Sequence, residues 1–248
     1  MAASELVAKL EVAVQEAIAL DAPLNERMAV IANAVRSLSM TFAEAVDHMV
    51  QRLQDQGTGA TAPGPGDVMP PFLLPDENGK LVGLSDILGK GPAAIFFQRG
   101  HWCPYCRLNA IGISEVEREI AALGGQVVAI VPERRKFTTA LKNEAEANFP
   151  FLTDMDNGYA LSLNLAIWVG TEMETLIAGA GWDVPSYQGN ASWILPIPAT
   201  FVVGTDGIIT ARYLDPDYRQ RMEIEDLLAA LTQAREPRTA TSLLRATG

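Results

Sequence analysis

Two cysteines stand three residues apart in the stretch Phe96-Phe97-Gln98-Arg99-Gly100-His101-Trp102-Cys103-Pro104-Tyr105-Cys106-Arg107. It follows an apolar run and opens a helical pattern. A thiol in the first turn of a helix faces unpaired backbone N–H groups and the positive end of the helix dipole, and both favour thiolate over thiol. Arg99, His101 and Arg107 add positive charge beside the pair in a chain that is otherwise acidic. Cysteines at this spacing can close a disulfide with little backbone movement, so the pair can cycle between dithiol and disulfide. Pro104 suits an early helical position, where its missing N–H costs no hydrogen bond. These residue types at this spacing point to cysteine redox chemistry that requires neither an organic cofactor nor a metal.

Other readings of the same residues are weaker. A structural zinc site needs four ligands; the chain has no third cysteine, and its other histidine, His48, lies in a distant helical segment. His101 reads as a partly exposed loop histidine, and Trp102 as a side chain packed against the motif. Asp154, Asp156 and Asn157 lack the spacing of a calcium loop and read as a turn.

Two elements must position the pair: a short, fully apolar strand over 93–97 and a helix over 104–123. Around them the pattern predicts a hairpin from 68–74 and 80–84, a buried strand over 126–131, helices over 133–146 and 159–165, and a loop over 170–193. Strands over 200–203 and 208–213 pair across Gly204-Thr-Asp-Gly207, and an amphipathic helix over 224–231 closes the chain. This order implies an α/β fold, a mixed sheet with helices on both faces. Residues 1–56 read as helices, with apolar stripes at Leu6, Leu10, Val14 and Ile18, at Leu24, Met28, Ile31, Val35 and Leu38, and at Phe42, Val46, Met49 and Leu53. Thr41-Phe-Ala-Glu44 reads as a capping box. Such stripes either cover their own domain or join two copies into a homodimer. The Gly- and Pro-rich residues 57–66 read as a linker, 67–236 as the redox domain and 237–248 as a frayed tail.

Composition narrows the partners. The chain has 248 residues and a net charge of −11, so it repels phosphate backbones and anionic lipid surfaces. Its longest apolar runs fall far short of the ~20 residues of a membrane helix. The start has no basic stretch followed by an apolar one, and two cysteines make no secreted disulfide framework. The expectation is a cytoplasmic protein that binds neither nucleic acid nor membrane.

The motif Arg99-Gly-His-Trp-Cys-Pro-Tyr-Cys106 resembles the thioredoxin-fold superfamily, most closely the peroxiredoxin-like branch of the alkyl hydroperoxide reductase/thiol-specific antioxidant (AhpC/TSA) family. Met69-Pro-Pro-Phe-Leu-Leu-Pro-Asp-Glu-Asn-Gly79, Leu195-Pro-Ile-Pro-Ala-Thr-Phe-Val-Val203 and Leu214-Asp-Pro-Asp-Tyr218 are similar to other parts of that branch. The likeness spans about residues 67–234 and leaves the first helices as an N-terminal extension of a thioredoxin-like fold. It implies reduction of hydrogen or organic peroxides through a sulfenic acid and a Cys103–Cys106 disulfide, recharged by a thioredoxin-like protein or a small thiol. Ordinary members carry threonine where this chain has Cys103, and an arginine near the position of Pro198. The resemblance therefore leaves Arg99 as a stand-in for that arginine, and Arg99, Trp102, Pro198 and Thr200 as residues that bind or activate substrate. Aligned with peroxiredoxins, Cys106 is peroxidatic and Cys103 resolving. Aligned with thioredoxins, Cys103 is an exposed nucleophile, Cys106 resolves, and Ile197–Pro198 is a cis bond beside the sulfurs. The alternatives to a peroxidase are a protein thiol–disulfide oxidoreductase and a non-enzymatic redox sensor.

Overall fold

Ala93–Phe97 is buried at every position because it lies in the middle of a sheet covered on both faces. The computed structural model describes residues 3–235. Three helices come first: α1 (Ala3–Ala19), α2 (Leu24–Leu38) and α3 (Met40–Asp55). A hairpin of β1 (Leu73–Pro75) and β2 (Leu81–Gly83) leads through α4 (Leu84–Leu88) into β3 (Ala93–Phe97). Then come α5 (Pro104–Glu115), α6 (Glu117–Ala122), β4 (Gln126–Val131), α7 (Arg135–Glu144) and β5 (Phe151–Thr153). A 3-10 turn precedes α8 (Gly158–Ser162), β6 (Ala166–Trp168), α9 (Thr171–Gly179) and α10 (Val184–Gln188). The chain closes with β7 (Ile194–Pro196), β8 (Ala199–Val203), β9 (Ile209–Leu214) and α11 (Ile224–Ala234).

The central sheet has the order β5-β4-β3-β8-β9. β3, β4 and β5 run parallel, whereas β8 pairs antiparallel with both β3 and β9. Alternate residues of β3 face opposite layers. Ile95 and Phe97 pack with Leu84, Ile87 and Tyr159 on the α4/α8 side. Ala94 and Phe96 pack with Ile113, Leu141 and Leu231 on the α5/α7/α11 side. This is the mixed sheet with helices on both faces that the strand pattern predicts.

A third core, formed by α1–α3 and α9, encloses the cysteine motif. Leu10, Val14, Leu24, Met28, Ile31, Val46, Met49 and Leu53 are buried in one cluster with Trp102, Cys103, Tyr105 and Cys106. The three predicted stripes thus cover their own chain. Two arginines fasten them: buried Arg27 donates to Ala17 O at 3.0 Å, the last turn of α1, and to Glu115 at 2.9 Å on α5. Arg107 of α5 makes a bidentate pair with Glu11 of α1 at 2.8 and 2.9 Å. Forked guanidinium–carboxylate geometry of this kind fixes orientation as well as attraction.

Several local expectations need correction. The helix over 104–123 breaks at Val116, where the backbone leaves helical geometry. Residues 170–193 are no loop: they hold α9 and α10, because Met173 and Ile177, four apart, bury a short helix in the third core. The α3 cap is Ser39, whose Oγ accepts from Phe42 N at 3.2 Å, in place of a Thr41–Glu44 box. Residues 57–66 are turns strapped across β9, with Arg212 donating to Ala62 O at 2.6 Å. The predicted frayed tail lies outside the described residues.

Candidate active site

The cysteine pair sits where β3 hands over to α5. Cys103 is the N-cap of α5, Pro104 its first residue and Cys106 its third. Cys106 is therefore inside the first turn, where free backbone N–H groups converge. Its Sγ accepts from the Arg99 backbone N at 3.3 Å, and Arg221 Nη2 lies 3.6 Å away. Burial alone would raise the Cys106 pKa. The hydrogen bond from Cys103, the charge of Arg221 and the Arg99 amide outweigh it and lower the pKa to about 6. Cys103 moves the other way: burial, its hydrogen bond to Cys106 and the charge of that thiolate raise it, against Arg99 and Arg221. The two shifts run in opposite directions and favour the thiolate at Cys106 over that at Cys103. Both are free thiols and both are buried, Cys103 at 1% exposure, so the expected exposed nucleophile at 103 is corrected. The third core covers it.

Sequence reasoning missed Arg221, which is 2% exposed and comes from the segment after β9. It brings a guanidinium to Cys106 Sγ, which no residue near Pro198 does. Arg221 Nη1 donates to Tyr218 O and, at 2.7 Å, to Gln220 O. Asn25, the second residue of α2, grips the arginine's backbone on both sides. Its Oδ1 accepts from Arg221 N at 2.8 Å, and its Nδ2 donates to Arg221 O at 2.8 Å. Glu223 in turn accepts from the first two amides of α2, Leu24 N at 2.8 Å and Asn25 N at 3.0 Å. A carboxylate there satisfies unpaired amides and meets the positive end of the helix dipole. The extension thus holds the arginine that holds the thiolate. Asn25→Ala is expected to raise the Cys106 midpoint by about half a unit to one unit, a fraction of a full charge effect. The pH dependence of alkylation by iodoacetamide measures it.

Arg99 is buried, and among the described residues its side chain makes no hydrogen bond to a sulfur. Its guanidinium lies 3.9 Å over the Tyr218 ring and 5.1 Å from the Trp102 ring, arrangements that stabilise a desolvated cation. Trp102 packs on Trp182 with centroids 5.8 Å apart. His101 is anchored: its N and Nδ1 each lie 2.8 Å from the buried Glu133 carboxylate, and its ring stacks on Phe137. Gly100 between them has φ +146°, and a Cβ there would meet Glu133 Oε1 at 2.5 Å. Gly100→Ala is expected to cost about 1–3 kcal/mol of stability in urea unfolding, because both the backbone and the carboxylate must move.

The remaining expected site residues are less directly placed. Pro198 is buried in the turn from β7 to β8, but no cis peptide bond occurs among the described residues, so Ile197–Pro198 is trans. That corrects the thioredoxin-like expectation. Thr200 is buried in β8 opposite Phe96. Among the described residues neither Pro198 nor Thr200 makes a hydrogen bond to a cysteine sulfur. Asp154 accepts from Tyr159 N at 2.8 Å and Ala160 N at 2.9 Å, consistent with a turn. No cluster of three or more metal-ligating side chains occurs among the described residues.

The sheet order, the cysteine pair at the head of α5 and its cationic surroundings define a thioredoxin-fold protein with a redox-type dithiol site. Residues 65–212 match the AhpC/TSA family, and the chain belongs to that family. A putative peroxiredoxin of Mycobacterium tuberculosis is 28% identical over 157 residues, covering 63% of this chain and 88% of the relative. Peroxiredoxin Bcp of Escherichia coli is 28% identical over 92 residues, 37% of this chain and 58% of that protein. In fold, the chain is similar to peroxidoxin BcpB of M. tuberculosis, with a TM-score of 0.54 at 21% identity over 70% of this chain and 99% of that one. The helices α1–α3 and Arg221 lie outside the family match. No helix among the described residues is long and apolar enough to cross a membrane.

Proposed function

We propose that this chain is a thiol-dependent peroxidase in which Cys106 attacks peroxide and Cys103 resolves the product. The observation that carries the assignment is the set of donors on Cys106 Sγ, namely the Arg99 amide and Arg221. The Cys106 thiolate displaces one oxygen of the O–O bond, forming a sulfenic acid and releasing an alkoxide, or hydroxide from hydrogen peroxide. The Cys103 thiol gives its proton to that leaving group. The Cys103 thiolate then attacks the Cys106 sulfur, closing the disulfide and expelling hydroxide. Peroxide is reduced by two electrons, and the dithiol is oxidised by two. A thioredoxin-like protein or small thiol returns the disulfide to dithiol, with no organic cofactor or metal required. The redox potential of a reducing cytoplasm suits two free thiols of this kind.

The buried sulfurs disfavour the oxidoreductase reading, since a protein disulfide has no direct approach to Cys103 under α1–α3; the same burial gives a small thiol readier access than a thioredoxin-like protein, which would need the helices to move before it reached the disulfide. The apolar stripes that suggested a homodimer are used within one chain. The test is consumption of hydrogen peroxide and cumene hydroperoxide with thioredoxin or glutathione as donor, beside reduction of insulin disulfides. Peroxide turnover with negligible insulin reduction is expected. Insulin reduction without peroxide consumption would replace the peroxidase by the oxidoreductase. Mass spectrometry after one equivalent of peroxide should show two hydrogens lost from a peptide holding both cysteines; only intermolecular disulfides would sink the resolving role of Cys103.

A further inference from the structure

Arg134, Arg135 and Lys136 are three consecutive exposed cations in a chain of net charge −11, and among the described residues none of them makes an ion pair. They open α7, whose first turn carries no acidic residue. Cations at the positive end of a helix oppose its dipole, so this placement does not serve the helix. Two of them converge on one half-buried ring: Arg134 Cζ lies 5.6 Å and Lys136 Nζ 5.5 Å from the Phe137 centroid. Arg134 is laid along the end of α10, where its N donates to Tyr187 O at 2.9 Å and its stem fills the space that a Cβ on Gly189 would take. Phe137 in turn stacks on His101 at 4.8 Å and packs on Tyr187 at 4.9 Å. Beside these rings an open hollow of about 320 Å³ is walled by Leu10, Trp102, Trp182 and Tyr187. The other charged groups on its lining are bonded together, Arg107 with Glu11 and Glu144, and Glu144 stands at the opposite end of α7 from Arg134.

We propose that this surface docks a protein partner through an acidic segment carrying an aromatic residue, with its carboxylates on Arg134 and Lys136 and its ring in the hollow. Aromatic side chains fringed by arginine have the composition of a protein-binding hot spot. A short segment senses mainly the charges within a Debye length of about 8 Å, whereas an extended polyanion also meets the surrounding acidic surface. Charge complementarity therefore selects a local acidic segment over a nucleic acid or an anionic membrane. His101 belongs to the cysteine motif, so the partner lies against the loop that precedes Cys103. The proposal holds whether or not the cysteine pair reduces peroxide.

The test titrates the full chain against three fluorescein-labelled peptides, EDFEDE, its neutral counterpart QNFQNQ and the phenylalanine-free EDAEDE, and reads anisotropy. EDFEDE is expected to bind saturably and about tenfold more tightly than either of the others, the effect of two exposed charge contacts or of one buried ring. Arg134→Gln combined with Lys136→Gln should weaken EDFEDE by about tenfold. Lys80→Gln combined with Lys90→Gln makes the same charge change at the other end of the sheet and should leave binding within about twofold. A second readout needs no variant of the cations. The imidazole NMR signals of His101, told apart from those of His48 by His101→Gln, should shift on adding EDFEDE while those of His48 stay in place. If the Arg134/Lys136 variant loses its circular dichroism, the His101 signals decide. Absence of saturable binding, an equal loss in the Lys80/Lys90 variant, or unmoved His101 signals overturns the proposal. Equally tight binding of a labelled oligothymidylate would make the cluster a general polyanion site, and self-association abolished in the Arg134/Lys136 variant would make the occupant a second copy of this chain. Either result also overturns it.

Discussion

Replacing Cys106 with serine is expected to lower the second-order rate of peroxide consumption by on the order of a thousandfold or more, since a hydroxyl in that place is not ionised and offers no sulfur nucleophile. The contrast is Cys103→Ser. That variant should react once at a rate near that of the parent, because the Arg99 amide and Arg221 still face Cys106 Sγ at 3.3 and 3.6 Å. It should then stop with a sulfenic acid on Cys106 that a dione reagent labels, as the resolving thiol is gone. Small thiols should restart it. Stopped-flow fluorescence and mass spectrometry separate the two variants. If Cys103→Ser is the dead variant and Cys106→Ser accumulates mixed disulfides through Cys103, the division of labour is that of thioredoxins. Equal peroxide rates in both would remove either residue as a dedicated peroxidatic site.

Removing the cation beside the thiolate should be the next largest effect. With the Cys106 pKa lowered to about 6, the thiolate is favoured at pH 7. The sign follows from the direction. The thiolate fraction and the peroxide rate rise with pH through about 6 and level off above it, and they fall as the medium becomes more acidic. Arg221→Met keeps much of the side-chain volume but removes the charge, which should move the midpoint up by about one unit or more. At pH 7 the thiolate then falls to about half or less, and at pH 9 much of the rate returns. The readouts are ultraviolet thiolate absorbance and the pH profile of single-turnover peroxide reduction. An unchanged midpoint in a folded variant would show that the helix N-terminus and the Arg99 amide suffice without Arg221.

Residues close together in the chain determined the chemistry that could be read without a structure. The Cys103–Cys106 spacing, Pro104 between them and the apolar run before them are local, and a helix start and its free amides follow from local backbone preference. β4 and the central strands were legible for the same reason, as short apolar runs bounded by turns. The helical character of residues 3–55 was legible in its periodicity, although the partner of each stripe was not. Only the tertiary structure decided that the partner is the cysteine motif itself. It alone brought Arg221, more than a hundred residues from Cys106, within 3.6 Å of the sulfur, and set Asn25 to grip that arginine. No periodicity marks such a residue, because its selection comes from a single side-chain contact across the fold. The trans bond at Pro198 and the burial of Cys103 belong to the same class. A motif shared with thioredoxins specifies the turn of chain around two sulfurs. The helices packed over it decide what can reach them, since access is a property of the surface that remains after packing.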